Sequence, residues 1–428
     1  MGKLVSIIKK GYYGNVVTVM FREKEIVRFY RSQTGERIFL FGKKFWKRSI
    51  PERYLLKNGC NNASIQACGL DDIVRQSKKT VVFVIDSIED LGGVETRLYH
   101  EACYMKSIGY EPIIVTKYDR SDKLREFCNI LLDYKAPNFT YWLDHIVRKA
   151  KPVFVEFHFK GWKYLHDVNI ANLKEKTIVG ACIHGIYRVA HSLMRQFDYR
   201  VYSCANDTNR FEDAHHVPNF IRATSQRWSY KKQSTALFIS RISEVKLKTL
   251  DNFIKICEQN NIAYKIAGPI DHANTKVAKF VARLKKDVLL GGIDTYQYLS
   301  EHGDDYLFVG GIGQVPIEAA SFGIPALILS SRSEEYSTFL TADKLAFFIK
   351  WNFVINECPK EGLGNADDFF HDVARGEVSQ YSLGDEVNDL LSVTSVMKQH
   401  MDIIRNSRPD KWQSSAACQN KSLLLQKH

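Results

Sequence analysis

The sequence predicts an α/β protein in which two Rossmann-like, doubly wound domains follow a β-rich N-terminal extension. Two series of buried strands alternate with amphipathic helices, one on each side of residue 222. Two consecutive series of this kind favour two separate domains over one large sheet. We expect four segments: the extension at residues 1–78, α/β domains at residues 79–222 and 223–390, and a C-terminal helix with a polar tail at residues 391–428.

The extension and the first α/β domain differ in their hydrophobic patterns. In the extension, β-like runs such as residues 16–21 and 37–41 alternate with polar turns. Residues 80–85 are instead apolar on both faces, as in a buried parallel strand. Apolar residues then recur at helical spacing from Val94 to Ile108, which predicts a helix ending at Gly109. Further strands of this domain are predicted at residues 112–116, 153–157 and 177–181.

The second α/β domain repeats the alternation. Its predicted strands lie at residues 236–239, 264–267, 306–309 and 325–329. Its predicted helices lie at residues 249–259 and 315–322, and Gly323 is placed to end the second of them. Past residue 330 the pattern becomes more helical, with a final helix predicted at residues 390–404.

Composition excludes several classes of protein. With 45% hydrophobic and 25% charged residues, the chain has the composition of a folded protein. No run of 18 or more apolar residues could span a bilayer, and no signal-like segment opens the chain, so we expect a cytoplasmic location. Nine scattered cysteines, without a close pair at zinc-ligand spacing, agree with reduced thiols.

The charge balance indicates a polyanionic partner. The chain has 60 Lys+Arg against 48 Asp+Glu, a formal net charge of +12. Residues 42–48 and 227–232 interleave aromatic and basic side chains, a pattern found at membrane headgroup interfaces and also in solvated loops. No recognisable nucleic-acid module accompanies them, so nucleic-acid binding is supported by the net charge alone.

Two glycine turns lie where open α/β sheets bind ligands. Gly92-Gly93 precedes the first predicted helix, and residues 310–313 (GGIG) lie between a strand and a helix that carries Glu318. The backbone N–H groups at such a helix start can hold an anion, although glycine also serves these turns for purely steric reasons. Neither turn is a P-loop, because no GK[ST] follows, and no GxGxxG follows the first strand.

Charged residues and histidines follow the predicted strands. Arg241 and Lys246 come after the strand at residues 236–239, where two cations could neutralise a diphosphate or simply be solvated. Glu318 could accept the hydroxyls of a ribose, or only occupy a favourable position in the helix dipole. His158 and His184 each end a strand-like run; they are candidate catalytic residues, although a lone histidine is also commonly structural.

Six segments, in order, resemble the motifs of GT-B glycosyltransferases, notably the large retaining family 4. They are residues 90–95 with 107–111, 157–161, 184–185, 217–220, 240–246 and 317–325. The resemblance covers roughly residues 80 to 330. It implies a GT-B fold with an acceptor-side domain at residues 79–222 and a nucleotide-sugar domain at residues 223–390.

The resemblance also implies roles for individual residues. Arg241 and Lys246 would hold the donor diphosphate and Glu318 its ribose. The implied donor-binding residues are Arg241, Lys246, Glu318, Gly311, Ile312, Gly313, Gly92 and Gly93, and the implied catalytic residues are His184 and His158. Two positions depart from the family: Gly310 stands where the first acid of a paired-glutamate motif is expected, and Leu247 stands in place of a glycine.

The sequence thus predicts a glycosyltransferase that moves a sugar from a nucleotide sugar to a hydroxyl acceptor. A lipid-linked or cell-surface glycan, as in polysaccharide or lipopolysaccharide biosynthesis, is the expected acceptor, and the charge suggests an anionic membrane surface as a partner. Neither a cofactor nor a metal is expected, since no Asp-x-Asp pair occurs. The alternatives are a nucleotide-sugar epimerase of the same fold, a catalytically silent GT-B-like scaffold and a nucleic-acid-binding protein.

Overall fold

The computed structural model describes residues 79–85, 93–116, 139–159, 168–184, 191–204, 214–355 and 366–413, together with five strands between residues 4 and 49. For those five strands, and for residues 139–142 and 191–192, the description covers the backbone alone.

The N-terminal strands form an antiparallel meander. They are β1 (Leu4–Gly11), β2 (Gly14–Phe21), β3 (Lys24–Ser32), β4 (Gly35–Leu40) and β5 (Lys43–Ser49). Each strand pairs with the next one in the chain, and the register shifts once between β2 and β3 and once between β4 and β5. Val, Ile, Phe and Tyr are frequent in these runs, which favours strands over helices. Over residues 4–49 the segment is therefore β-rich, as the sequence predicts.

The first parallel sheet has six strands in the order β11-β10-β9-β8-β6-β7. They are β6 (Thr80–Ile85), β7 (Glu111–Thr116), β8 (Phe154–Phe159), β9 (Ile178–Ile183), β10 (Tyr199–Tyr202) and β11 (Ala214–His216). The helices between them are α1 (Gly93–Ser107), α2 (Phe139–Ala150), α3 (Ile170–Lys176) and α4 (His191–Met194). All pairs are parallel, and β6, β8, β9 and β10 are buried along their whole length, which explains their continuous apolar runs.

The second sheet has six strands in the order β14-β13-β12-β15-β16-β17. They are β12 (Thr235–Ile239), β13 (Ala263–Ala267), β14 (Leu289–Gly291), β15 (Phe308–Gly311), β16 (Ala326–Ile328) and β17 (Thr338–Phe339). Only β17 is antiparallel to its neighbour among these strands. The helices of this unit are α5 (Leu247–Gln259), α6 (Thr275–Val281), α7 (Thr295–His302), α8 (Gln314–Ser321), α9 (Ala342–Lys350), α10 (Asp367–Arg375) and α11 (Gly384–Leu391). Two Rossmann-like units are thus present, as predicted.

The last described helix, α12 (Val393–Ser407), returns to the first sheet. It packs on α1, β9 and β10, and buries Met397, His400 and Met401. One continuous helix is predicted for residues 390–404, and this is wrong. Ser392 is extended and ends α11, and its hydroxyl accepts the Ser395 N–H and so caps α12.

Alternate residues of each central strand enter different apolar clusters. In β6, Phe83 packs in the cluster that contains side chains of α1 and α12, whereas Val82 and Val84 pack with α2 and α3. The first of these clusters continues through Phe220 to α8 and α11 of the second unit. The chain segment between the two sheets is therefore packed into a core that both units share.

Candidate functional site

Each parallel sheet has a point where neighbouring strands are connected in opposite directions. In open α/β sheets, ligands commonly bind at the carboxyl ends of the two strands that meet at such a point. In the second sheet the strands are β12 and β15, where Phe238 pairs with Gly310, so the segments that follow them lie side by side. In the first sheet the strands are β6 and β8, where Ile85 pairs with His158. Both sheets thus bring sequence-predicted residues to such an edge.

The glycine turn after β15 needs glycine at two positions for different reasons. A Cβ on Gly311 would lie 2.6 Å from Val315 Cγ1 and 3.3 Å from the Ile239 carbonyl oxygen, so a side chain would push β15 away from β12. Gly313 has φ +68° and ψ −114°, a conformation that L-residues rarely adopt, while its N–H donates to the Phe353 carbonyl oxygen at 3.0 Å. The turn therefore places backbone at this edge of the sheet. Because its last residue, Gly313, is the N-cap of α8, no side chain caps the first N–H groups of this helix.

Gly310 faces the core of the second unit. A Cβ there would lie 2.8 Å from Phe253 Cδ2 and 3.1 Å from Leu329 Cδ1. A carboxylate at this position would be buried against an aromatic ring without a partner, which is strongly unfavourable. Packing therefore explains the glycine that departs from the paired-acid motif, and this strand end does not present an acid to the crevice.

The two predicted cations follow β12 in different environments. Arg241 is exposed, whereas Lys246 is half-buried at the amino end of α5. Burial lowers the pKa of Lys246. Within the described residues, the Lys246 ammonium makes no ion pair or side-chain hydrogen bond. An unpaired ammonium that has lost part of its hydration is stabilised by a bound anion, which makes Lys246 a candidate anion-binding residue.

Glu318 lies on α8, one turn beyond the glycine turn, and is buried. Burial raises the pKa of Glu318 to about 8, although a hydrogen bond from Gln314 opposes this shift. Gln314 also donates to the Phe220 carbonyl oxygen at 2.8 Å, which ties this carboxyl to the segment between the sheets. Without a ligand, Glu318 is therefore mostly protonated at neutral pH.

His158 and His184 are brought together, but inside the protein. His158 Nδ1 lies 3.0 Å from His184 Nε2, and His158 Nε2 lies 3.0 Å from Glu156 Oε1 and 3.2 Å from Glu101 Oε2. The His158 side chain is fully buried, and His184 Nε2 also lies 3.4 Å from Cys182 Sγ. Since both ring nitrogens of His158 face protein groups, its placement favours the structural role that the sequence left open.

Glu156 joins the histidine pair to the C-terminal helix. It accepts a hydrogen bond from the Tyr199 hydroxyl at 2.7 Å, and His400 Nε2 lies 2.8 Å from the same oxygen. Burial alone would raise the pKa of Glu156, but His400 and His158 hold it well below its usual value. Gly180 makes room for this contact, because a Cβ there would overlap the Tyr199 ring at 1.9 Å.

Arg97 connects the same buried cluster to the segment between the sheets. Its Nε donates to Glu101 at 2.9 Å, and its Nη1 donates to the carbonyl oxygens of Val217 and Pro218 at 3.0 and 3.2 Å. Sequence reasoning missed Arg97, Glu101, Glu156 and His400. One signal was available: Glu156 is a charge inside an otherwise apolar buried strand.

Other predicted residues lie at the edges of these sites. Gly93 is exposed as the first residue of α1, with open space where a Cβ would stand, and Gly92 lies outside the described residues. Ile312 packs partly on the second core. Trp228 corrects the interpretation of residues 227–232 as a surface segment, because it is buried and its Nε1 donates to the Tyr306 carbonyl oxygen at 3.0 Å. The side chains of residues 42–48 lie outside the described part.

No family model matches the chain, and no curated protein matches its sequence. Solved structures do resemble it. A lipopolysaccharide outer core galactosyltransferase, WaaB, has 12% identity and a TM-score of 0.49 over 77% of this chain and 99% of its own. An alpha-glucosyltransferase in complex with UDP-glucose and DNA has 13% identity and a TM-score of 0.49 over 76% and 98%. An S. aureus MnaA–UDP structure has 12% identity and a TM-score of 0.45.

The described residues form two Rossmann-like parallel sheets, and the last described helix returns to the first of them. Two such units, each with a mainly parallel six-stranded sheet, agree with the two-domain α/β organisation that the sequence predicts. At these identities and TM-scores the likeness carries no argument about function, so function has to be argued from this chain's own side chains. Among the described helices, none has the length and apolar character needed to cross a membrane.

Proposed function

We propose that the protein is a glycosyltransferase that binds a nucleoside diphosphate sugar at the carboxyl edge of the second sheet and transfers its sugar to a hydroxyl acceptor. The observation that carries the proposal is the half-buried ammonium of Lys246, unpaired within the described residues, at the amino end of the helix after β12. The glycine turn at residues 311–313 borders the same crevice. A diphosphate supplies the charge that Lys246 lacks and the oxygens that backbone N–H groups bind.

Cations at this site act on the leaving group. A nucleoside diphosphate gains negative charge as the bond to the sugar breaks, so Lys246 and Arg241 stabilise the transition state more than the ground state. This role fits a transfer reaction in which side-chain cations, rather than a metal ion, hold the diphosphate. A retaining outcome follows from the family resemblance and stays part of the proposal.

Glu318 is placed to bind the ribose. Ribose hydroxyls that donate to its carboxylate favour the ionised form, so nucleotide binding is expected to lower the raised pKa of this group. Gln314 donates to the Glu318 carboxyl and to the Phe220 carbonyl oxygen, so ribose binding at Glu318 would adjoin the segment that joins the two units.

The proposed acceptor is a lipid-linked or cell-surface glycan, reached at an anionic membrane surface. The net charge of +12 supports this placement, and although Trp228 is buried, the basic residues of the segment at 227–232, Arg227, Lys231 and Lys232, are exposed. We expect binding to anionic vesicles that weakens as salt shortens the Debye length below about 10 Å. Equal binding to neutral vesicles would contradict the membrane part of the proposal.

A second candidate, a catalytically silent nucleotide-sugar-binding scaffold, is favoured by one observation: packing around Gly310 leaves no space for the first acid of the pair. Incubation with a panel of nucleotide sugars, with and without glycolipid acceptors, separates these functions. The proposal predicts sugar transfer that requires an acceptor. An epimerase would release a free or epimerised sugar without one, and a scaffold would bind the donor and leave it intact.

A further inference from the structure

Three metal-binding side chains converge in the first unit, away from the proposed donor site. His158 of β8 pairs in register with Cys182 of β9, so the two lie on neighbouring strands, and His184 follows Cys182 by two residues and shares its face. The ligand atoms His158 Nδ1, Cys182 Sγ and His184 Nε2 all lie within 4.8 Å of one another. All three residues are buried, which excludes bulk water as the partner of these atoms.

Hydrogen bonds alone do not satisfy this group. His184 Nε2 lies 3.0 Å from His158 Nδ1 and 3.4 Å from Cys182 Sγ. A neutral imidazole nitrogen has either one lone pair or one proton, so His184 Nε2 can serve only one of these two contacts. A metal ion between the three atoms accounts for both contacts at once.

The surroundings fit a metal-bound histidine. A ligating histidine usually offers its second nitrogen to a carboxylate, which fixes the ring. His158 Nε2 lies 3.0 Å from Glu156 Oε1 and 3.2 Å from Glu101 Oε2, and neither contact has the alignment of a hydrogen bond in the metal-free geometry. A divalent cation, the Cys182 thiolate, these two carboxylates and Arg97 together have no net charge.

The geometry points to a structural zinc-class ion held by His158, Cys182 and His184. Tetrahedral Zn²⁺ places its nitrogen and sulfur ligands about 3.3–3.6 Å from one another, so contacts of 3.0 and 3.4 Å need only small adjustments. A carboxylate oxygen of Glu101 or Glu156 is available as the fourth ligand, because these two residues and Cys182 also converge within 4.8 Å. The ion would cross-link β8 and β9 and would take no part in sugar transfer.

The alternative to a bound metal ion is a protonated His158. A protonated His158 between Glu101 and Glu156 also balances the charge of the cluster, but leaves the contact between Cys182 and His184 unexplained. Measuring the metal content of the protein distinguishes a bound metal ion from a protonated His158. The result does not depend on whether the protein has the proposed transferase activity.

The test uses full-length protein without a histidine tag, incubated with Zn²⁺ and desalted before elemental analysis. We expect about one zinc per chain. Cys182→Ala should lose it, whereas Cys257→Ala, which removes another fully buried cysteine from the second unit, should keep it. Absence of stoichiometric zinc in the parent protein, or equal zinc in the Cys182→Ala protein, would overturn the proposal.

If Cys182→Ala does not fold, the absorption spectrum of bound Co²⁺ tests the site without this variant. Co²⁺ added to the unsubstituted protein should give the intense visible bands of a tetrahedral site and a thiolate-to-cobalt charge-transfer band. Weak octahedral bands without the charge-transfer band would exclude this site and leave the proton as its occupant.

Discussion

The carboxyl edges of the two parallel sheets hold their ionisable groups in opposite ways. At the first edge, His158 is closed in by two carboxylates and a second histidine, and side chains from α1 and α12 complete the cluster. At the second edge, Lys246 is half-buried at the start of the helix after β12 and has no charged partner within the described residues. At the same topological position, the ionisable groups of the first unit are paired with one another, whereas those of the second unit include the unpaired ammonium on which the proposed donor site rests.

This contrast shows that the role of a residue at a strand end depends on which side chains of other elements pack against it. His158 occupies the end of β8 much as Arg241 follows the end of β12, but a helix from the far end of the chain brings His400 over the first edge. Among the described residues, no charged side chain pairs with Lys246 in this way. We expect substitutions at the first edge to act on stability and substitutions at the second edge to act on turnover.

The largest expected effect is that of Glu156→Gln. Loss of this carboxylate leaves His158 and His400 without the charge that both of them contact, and breaking such a buried pair costs about 3–5 kcal/mol. Urea unfolding followed by circular dichroism measures the change. Glu318→Gln, compared with the parent at pH 5, is the matched control: at that pH Glu318 is protonated in the folded protein and largely unaffected by its raised pKa, so its change should stay within about 1 kcal/mol. Equal losses in both variants would remove the contrast between the two edges.

Lys246→Met and Arg241→Ala test the second edge. Each should lower turnover by about 30- to 1000-fold, the equivalent of ~2–4 kcal/mol of transition-state stabilisation, while the protein stays folded. Lys248→Met, two residues further along the same helix and largely exposed, should leave turnover unchanged. Turnover within a few-fold of the parent in both cation variants would show that these residues have only a structural role.

Gly313→Ala probes the backbone of the glycine turn. A Cβ there meets no atom within 4 Å, so the expected loss of about 1–3 kcal/mol in the free energy of unfolding comes from the positive φ alone. Gly93→Ala places a methyl group in equally open space without a positive φ and should be close to neutral. A neutral Gly313→Ala would mean that the turn adopts another conformation.

The raised pKa of Glu318 implies that the stability of the protein depends on pH. Its folded-state pKa of about 8 lies above the ordinary value of 4.5, so between these values the folded protein binds more protons than the unfolded chain. Stability should therefore fall as pH rises through this window, by up to about 1.4 kcal/mol per pH unit. The difference in unfolding free energy between the parent and Glu318→Gln, followed from pH 5 to 8, isolates this contribution. An unchanged difference would show that Glu318 is ionised throughout.

The strands and the glycine turns were predictable because their signals are local. Buried parallel strands are continuous apolar runs, and the strand predicted at residues 80–85 is β6. The carboxylate cluster around His158 was not predictable. Glu101 contacts His158 from one helix, and His400 contacts Glu101 and Glu156 from another, through packing between distant parts of the chain that a sequence pattern does not encode. Trp228 shows the same limit: its neighbours are basic and exposed, yet tertiary packing buries its ring.

Nucleoside diphosphate binding tests the central claim most directly. Thermal unfolding in the presence of UDP, GDP, ADP or CDP should show stabilisation by at least one of them, approaching about 2.7 kcal/mol at a concentration 100 times its Kd. Lys246→Met should abolish that stabilisation, and Lys248→Met should retain it. A chain that no nucleoside diphosphate stabilises, or a Lys246→Met variant that binds as tightly as the parent, would contradict the assignment of the donor site to the edge of the second sheet.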